Sequence, residues 1–293
     1  LGLRGEVGDT LEMLKSRGTP LILGLRDVMD EPELLVPEWE RKHVMPALKD
    51  LYDELWVYGL PQFYDPLTGV EIPEVIRRKI VYTGYLKYQV PEALSVKSAS
   101  VPNTPYILVT AGGGGDGDVL IDWVLTAYET GMKIPHPALI VLGPFMHTDH
   151  QESFLARIEK LESVSAMTFS SHIEHLMEKA VGVVAMGGYN TFCEILSFDK
   201  PSIIVPRTVP RLEQYIRASR AQELGLLSML NYDNEADPKT MATALCQLTQ
   251  QNSPSEIILP GLLDGLQNIN RLVSQNIAKS RRQELSTIDQ LIS

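Results

Sequence analysis

The sequence predicts an α/β fold of two domains, each built on a parallel sheet with helices on both faces. Three observations predict it. Short apolar runs such as LILGL (21–25), YILVT (106–110) and ALIVLGP (138–144) read as strands buried on both faces. Helical segments alternate with these runs at the spacing of βαβ units. A stretch rich in Pro, Ser and Ala, residues 87–105, has no sustained period and separates one such series from the next.

The elements follow in order. GEVGDTLEMLKSR (5–17) reads as a helix capped at Asp9 or Thr10, with Leu11 and Leu14 on one face. Gly18-Thr19-Pro20 ends it, and LILGL is the first strand, with Arg26-Asp27 at its end. Residues 38–53 read as a helix that Pro46 should kink or divide. LWVYGL (55–60) is a strand, a loop rich in Pro and Gly fills 61–73, Pro73 to Arg78 forms a short helix, and KIVYTGYL (79–86) is a further strand. After the separating stretch, strands at 106–110, 138–144, 165–169, 181–186 and 202–205 alternate with helices at 119–131, 150–161 and 172–180, and with two more that follow Gly188 and Arg211. Helices at 241–250 and 259–279 complete the pattern, and the polar tail from Ser280 reads as frayed or exposed.

Composition excludes several classes. The 293 residues suffice for two domains, and 44% hydrophobic with 22% charged residues is the balance of a globular protein. The net charge of −11 argues against nucleic acid as a partner. No apolar run approaches the roughly 18–20 residues of a membrane span. The opening LGLRGEVGDTLEML lacks the regions of a secretory signal, and the two cysteines, Cys193 and Cys246, cannot form a disulfide framework. A cytoplasmic location is expected.

Three constellations could carry chemistry. Gly112-Gly113-Gly114-Gly115 joins a strand to a helix, and such a loop can hold a diphosphate on backbone N–H groups. It lacks the Lys-Ser/Thr ending of a P-loop, and taken alone it is as readily an ordinary turn. Gly187-Gly188-Tyr189-Asn190-Thr191 precedes another helix, with Asn190 as its expected N-cap. Glu194 lies about one turn in. Its carboxylate can reach back toward the loop and accept hydrogen bonds from the vicinal hydroxyls of a ribose. Arg207-x-x-x-Arg211-x-Glu213-Gln214 follows a strand end; arginine suits phosphate and Gln214 suits sugar hydroxyls. His147, Asp149 and His150, and His172 with His175, lie close in sequence, but neither group has a convincing further ligand, and no metal site is proposed.

With these loops in hand, the sequence resembles the GT-B glycosyltransferases, most of all the C-terminal domain of the family that includes the UDP-GlcNAc transferase of peptidoglycan precursor synthesis. The likeness runs from about Tyr106 to Gly225. It is carried by Ala111 to Gly115, by Phe169-Ser170, by Gly188, Thr191 and Glu194, by Asp199-Lys200-Pro201 (aspartate in place of the usual glycine) and by Glu213-Gln214. Leu23 to Val28, Tyr52-Asp53, Val57 to Gly59 and Tyr82 to Tyr85 resemble the second half of a GT-B N-terminal domain.

The resemblance implies two Rossmann-like, doubly wound domains, the N-terminal one incomplete. Residues 1–88 would be the partial acceptor-side domain, 89–104 a linker, 105–260 the nucleotide-sugar domain, and 261–293 a C-terminal helix and tail. It implies transfer of a hexose-type sugar from a nucleotide-diphosphate donor, UDP above others, to a hydroxyl acceptor, inverting and without metal. In that family the strand end at Phe169-Ser170 reads the base, the glutamate at Glu194 holds the ribose, and Glu213-Gln214 faces the sugar. The glycine turns, with Gly187, Asn190 and Arg207 nearby, would hold the diphosphate. The nucleotide-sugar is a substrate, so no cofactor is implied, and peripheral membrane contact stays open. The chain starts at Leu1, and the family's acceptor loop and usual base lie upstream of what matches here. No catalytic base is therefore assigned; Asp27, Asp30 and His43 are the nearby candidates. A nucleotide-sugar epimerase and a non-catalytic nucleotide-sugar binder are the alternatives on the same scaffold.

Overall fold

The structure is a computed structural model that describes residues 6–90, 101–113, 115–232, 236–257 and 259–292 of the chain. The chain divides into two compact units. One comprises residues 1–86 with 260–293, and the other residues 87–259. The linker expected at 89–104 falls largely on 91–100, which lie outside the described residues.

In the first unit α1 (Gly8–Ser16) leads to β1 (Ile22–Arg26), α2 (Pro32–Arg41), α3 (Val44–Asp50), β2 (Glu54–Tyr58), α4 (Glu74–Arg77) and β3 (Ile80–Tyr82). The strands form a parallel sheet in the order β1-β2-β3, with Gly24 opposite Trp56 and Trp56 opposite Val81. Leu35, Trp39, Leu48, Leu55 and Ile76 pack as its core. The division expected at Pro46 falls instead at Lys42-His43, where His43 takes a left-handed φ of 51°. Pro46 sits in the first turn of α3, where its missing N–H has no helical partner to lose. Lys79 Nζ donates to the carbonyls of Leu48, Lys49 and Tyr52, which closes the end of α3.

The second unit holds β4 (Ile107–Thr110), α5 (Asp118–Glu129), β5 (Ala138–Val141), α6 (Thr148–Ile158), β6 (Val164–Met167), α7 (Ile173–Lys179), β7 (Gly182–Ala185), α8 (Tyr189–Ser197), β8 (Ser202–Ile204), α9 (Glu213–Glu223), β9 (Ser228–Met229) and α10 (Pro238–Gln247). Its six strands are all parallel in the order β6-β5-β4-β7-β8-β9. Every residue of β4, β5 and β7 is buried, as their unbroken apolar runs require. The core centres on Trp123, whose Nε1 donates to Asp237 O at 3.0 Å and whose ring meets Tyr232 edge-on.

The last helix, α11 (Gly265–Ile292), belongs to the first unit. The tail from Ser280, expected to be frayed or exposed, continues this helix, and no Gly or Pro interrupts residues 266–292. Among the described residues no helix is long and apolar enough to cross a membrane. The start of α11 sits against the segment after β3. Tyr85 N donates to Leu262 O at 2.7 Å, Gly265 N to Tyr85 O at 3.1 Å, and Asn268 Nδ2 to Thr83 O at 2.9 Å. A Cβ on Gly265 would lie 2.5 Å from both Gly84 O and Tyr85 O. Alanine usually gains stability over glycine in a helix. Here Gly265→Ala is expected to cost about 1–3 kcal/mol, because backbone must move to admit the methyl. Urea unfolding of the two proteins measures this, and a neutral or stabilising result would show that the contact is loose.

Candidate functional site

The strand order of the second unit creates its crevice. The chain leaves β4 for β5 and β6 on one side, then returns to β7 beside β4 and continues to β8 and β9 on the other. Ile107 to Thr110 pair with Gly182 to Ala185, and the turns that leave these two strands diverge. Open parallel sheets bind ligands at such a switch point, beyond the carboxyl ends of the strands. Both glycine turns read from the sequence fall there. Gly112 has φ +64°, and Gly113 O accepts a hydrogen bond from Phe145 N at 3.0 Å. Gly114 lies outside the described residues. Gly187 has φ +84°, and a Cβ there would come within 2.7 Å of Ile204 Cγ2, so both conformation and space require glycine.

Helix α8 starts at Tyr189, with Gly188 as its N-cap in an extended conformation and no side-chain capping bond. Asn190 is therefore not the cap; it is exposed in the first turn, because the glycine pair already supplies the extended residue a helix start needs. The first N–H groups of α8 are left for other acceptors. Thr191 and Glu194 are half-buried one turn apart. Burial, and then the negative charge of Glu174, push the Glu194 carboxyl up to about 7. Glu174 on α7 lies 3.4 Å from His172 Nδ1.

The loop after β8 meets the glycine loop across the crevice. Arg207 Nη1 donates to Asp116 Oδ2 at 2.6 Å, and Nη2 to Glu213 Oε1 at 2.8 Å. Arg207 N donates to Gln214 Oε1 at 3.2 Å. Arg207, read from the sequence as a phosphate ligand, is thus held by two carboxylates. Two atoms of this group, Arg207 Nε and Glu213 Oε2, are buried without a partner. Glu213 opens α9, and Gln214 is buried, with Nε2 4.0 Å from where a Gly188 Cβ would stand. Two participants were missed in the sequence. Arg217, 1% exposed, donates to Gly187 O at 3.0 Å and lies over the Tyr189 ring. Its place one turn beyond Glu213 was the available signal. Asp116 was the acid inside a loop read for its glycines.

The remaining residues fall into place around this crevice or outside it. Phe169, 57% exposed, and Ser170 lie between β6 and α7, where Ser170 Oγ accepts from His172 N at 3.3 Å. Lys200 Nζ donates to Glu178 O and Ala180 O and so closes the end of α7. Asp199 holds φ 55° and accepts from Ser255 N and Oγ. His147 faces Asp149 and His150 faces Asp118, and among the described residues no group of three or more His, Cys, Asp or Glu is poised for a metal. Asp27, Asp30 and His43 belong to the first unit, where Asp27 is buried and accepts from Tyr85 Oη at 2.7 Å.

The glycosyltransferase family 28 C-terminal domain matches residues 106–257, a little over half of the chain. The chain belongs to this family. Solved structures that it resembles are glycosyltransferases. The calicheamicin glycosyltransferase CalG4 is 17% identical at a TM-score of 0.55 over 91% of this chain and 62% of its own. MurG of Acinetobacter baumannii is 11% identical at 0.61 over 92% and 72%. UGT2 of Phytolacca americana, complexed with UDP-2-fluoroglucose and pterostilbene, is 11% identical at 0.56 over 92% and 74%. The chain thus spans less than two thirds of CalG4, and at these identities the likeness is one of fold. That fold is the Rossmann-like, parallel-sheet fold of GT-B glycosyltransferases. A comparison with curated proteins finds no match.

The Glu194 environment gives a pH signature. Its carboxyl is raised from 4.5 to about 7, so across that interval the folded chain holds the proton more tightly than the unfolded chain does. The stability this group contributes is present below the interval and lost as pH rises through it. Glu194→Gln cannot ionise. Between about pH 5 and pH 8 it is expected to lose less stability than the unsubstituted protein, by on the order of 2 kcal/mol. Urea titrations at both values measure this, and parallel pH dependences would refute the raised carboxyl.

Proposed function

We propose that this chain is the donor-binding part of a glycosyltransferase that uses a nucleoside-diphosphate hexose, with UDP as the nucleotide. The observation that carries the reading is the position of both glycine turns at the β4/β7 switch point, with Glu194 one turn into the helix that follows. The diphosphate lies on the glycine turn at Gly112 and Gly113 and on the open start of α8 at Gly188, where N–H groups and the helix dipole favour negative charge. Glu194 accepts hydrogen bonds from the two ribose hydroxyls, and the low dielectric that raises its pKa strengthens those bonds. Phe169 offers a face to the base, and Glu213 with Gln214 faces the hexose. The nucleotide of the UGT2 complex supports UDP.

The reaction is a single displacement. An acceptor hydroxyl oxygen attacks the anomeric carbon, the bond to the diphosphate oxygen breaks, and UDP leaves with the electron pair. Configuration inverts. Backbone N–H groups and Arg207 take up the developing charge, a role that needs no metal. The hydroxyl proton passes to a base that none of the residues in this crevice is assigned to be.

At about pH 8, where the Glu194 carboxyl is ionised, Glu194→Ala is expected to weaken UDP binding by about 1–3 kcal/mol, through the loss of charge-assisted hydrogen bonds. Isothermal calorimetry on the folded variant decides it, and an unchanged affinity would remove Glu194 from the site. Incubation with UDP-hexose and no acceptor tests the reaction class: accumulation of an epimerised sugar would replace transfer with epimerisation.

A further inference from the structure

We infer that Asp116 is a specificity-determining residue of the crevice. Its carboxylate pairs with Arg207, and only a ligand whose own phosphate takes over that guanidinium opens the pair. The inference rests on the donor reading above and goes a step beyond it.

Three features support the latch. First, the pair spans the crevice. Asp116 comes from the turn after β4 and Arg207 from the end of β8, and β7 lies between those strands in the sheet. A ligand seated on the start of α8, which follows β7, must therefore pass close to the Arg207–Asp116 contact. Second, the closed arrangement is not fully satisfied. Arg207 Nε and Glu213 Oε2 are buried without partners, at a cost that a better-paired state would relieve. A phosphate oxygen can accept from Nε, and a sugar hydroxyl can donate to Oε2, so a sugar diphosphate answers both. Third, a carboxylate within a turn that receives phosphate opposes the ligand unless it can leave. The guanidinium fork accepts carboxylate and phosphate in the same geometry, which makes one a substitute for the other. The Asp116 side chain is 45% exposed, so it can turn into solvent once released. Glu213 stays on the second arm of Arg207 and keeps the guanidinium aimed into the crevice. Neutral ligands, such as nucleosides and free sugars, offer nothing that displaces a carboxylate from arginine and leave the latch closed.

The test is a double-mutant cycle read with two ligands. UDP and uridine are titrated by calorimetry into the unsubstituted chain, Asp116→Asn, Arg207→Met and the double variant, at one ionic strength. Unfolding midpoints confirm that each is folded, and Arg207→Gln, which is polar but uncharged and so also removes the ion pair, replaces Arg207→Met if the latter does not fold. Asp116→Asn is expected to bind UDP about fivefold tighter, the worth of a partly exposed ion pair, with uridine unchanged. The gain should vanish when Arg207 is also replaced. A gain of equal size in the Arg207 background would mean simple charge repulsion and would overturn the latch, as would UDP affinity that Asp116→Asn leaves unchanged or weakens. If the unsubstituted chain binds neither UDP nor uridine, the donor reading falls first and the latch with it; binding of both with no effect at Asp116 removes the latch alone.

Discussion

The pairing of β4 with β7 is the constraint on which the second unit depends. These strands are neighbours in space and far apart in the chain, with two βα units between them. Because the chain turns away from β4 in one direction and from β7 in the other, a crevice opens beyond their carboxyl ends. The crevice is thus a consequence of strand order. Every residue in both strands is buried, as expected for the central pair of a sheet covered on both faces. The glycine turns then serve a geometry already set. Gly187 must turn with positive φ while its α-carbon lies against Ile204, and no side chain meets both demands.

Electrostatics, more than shape, gives the crevice its chemical character. The chain is acidic overall, and the glycine loop itself carries Asp116 and Asp118. Positive charge is supplied at two fixed points. Arg217 is buried behind the turn at Gly187, and Arg207 lies between Asp116 and Glu213 at the mouth. Burial lowers the Arg207 pKa, but Glu213 and Asp116 more than offset that, and the guanidinium stays charged. Glu194 is the opposite case: burial and the neighbouring Glu174 hold its proton at a pH where a surface glutamate has lost it.

Much of this was legible in the residues. The apolar runs at 106–110, 138–144 and 181–186 point to buried strands, because a sheet covered on both faces accommodates them. The turns at Gly112 and Gly187 stand out as glycines at strand–helix junctions, although the first, taken alone, is as readily an ordinary turn. Other features were not legible. Asn190 has a capping side chain, but Gly188 takes the cap because the backbone is already extended there. Pro46 was expected to break a helix and instead lies in a first turn, where its missing N–H costs nothing. The tail beyond Ser280 is polar yet continues the helix of residues 265–292, in which no Gly or Pro follows Gly265.

By itself, the sequence determined the class of fold, the order of elements in the second unit and the loops from which a site would be built. These follow from local periodicity and from the backbone freedom of particular residues, both of which act over a few positions. Only the tertiary structure decided what each charged group in those loops faces. Arg207 and Asp116 are ninety-one residues apart, and Arg217 reaches Gly187 across thirty. Such pairings are set by how the sheet brings distant loops together, so no local pattern announces them.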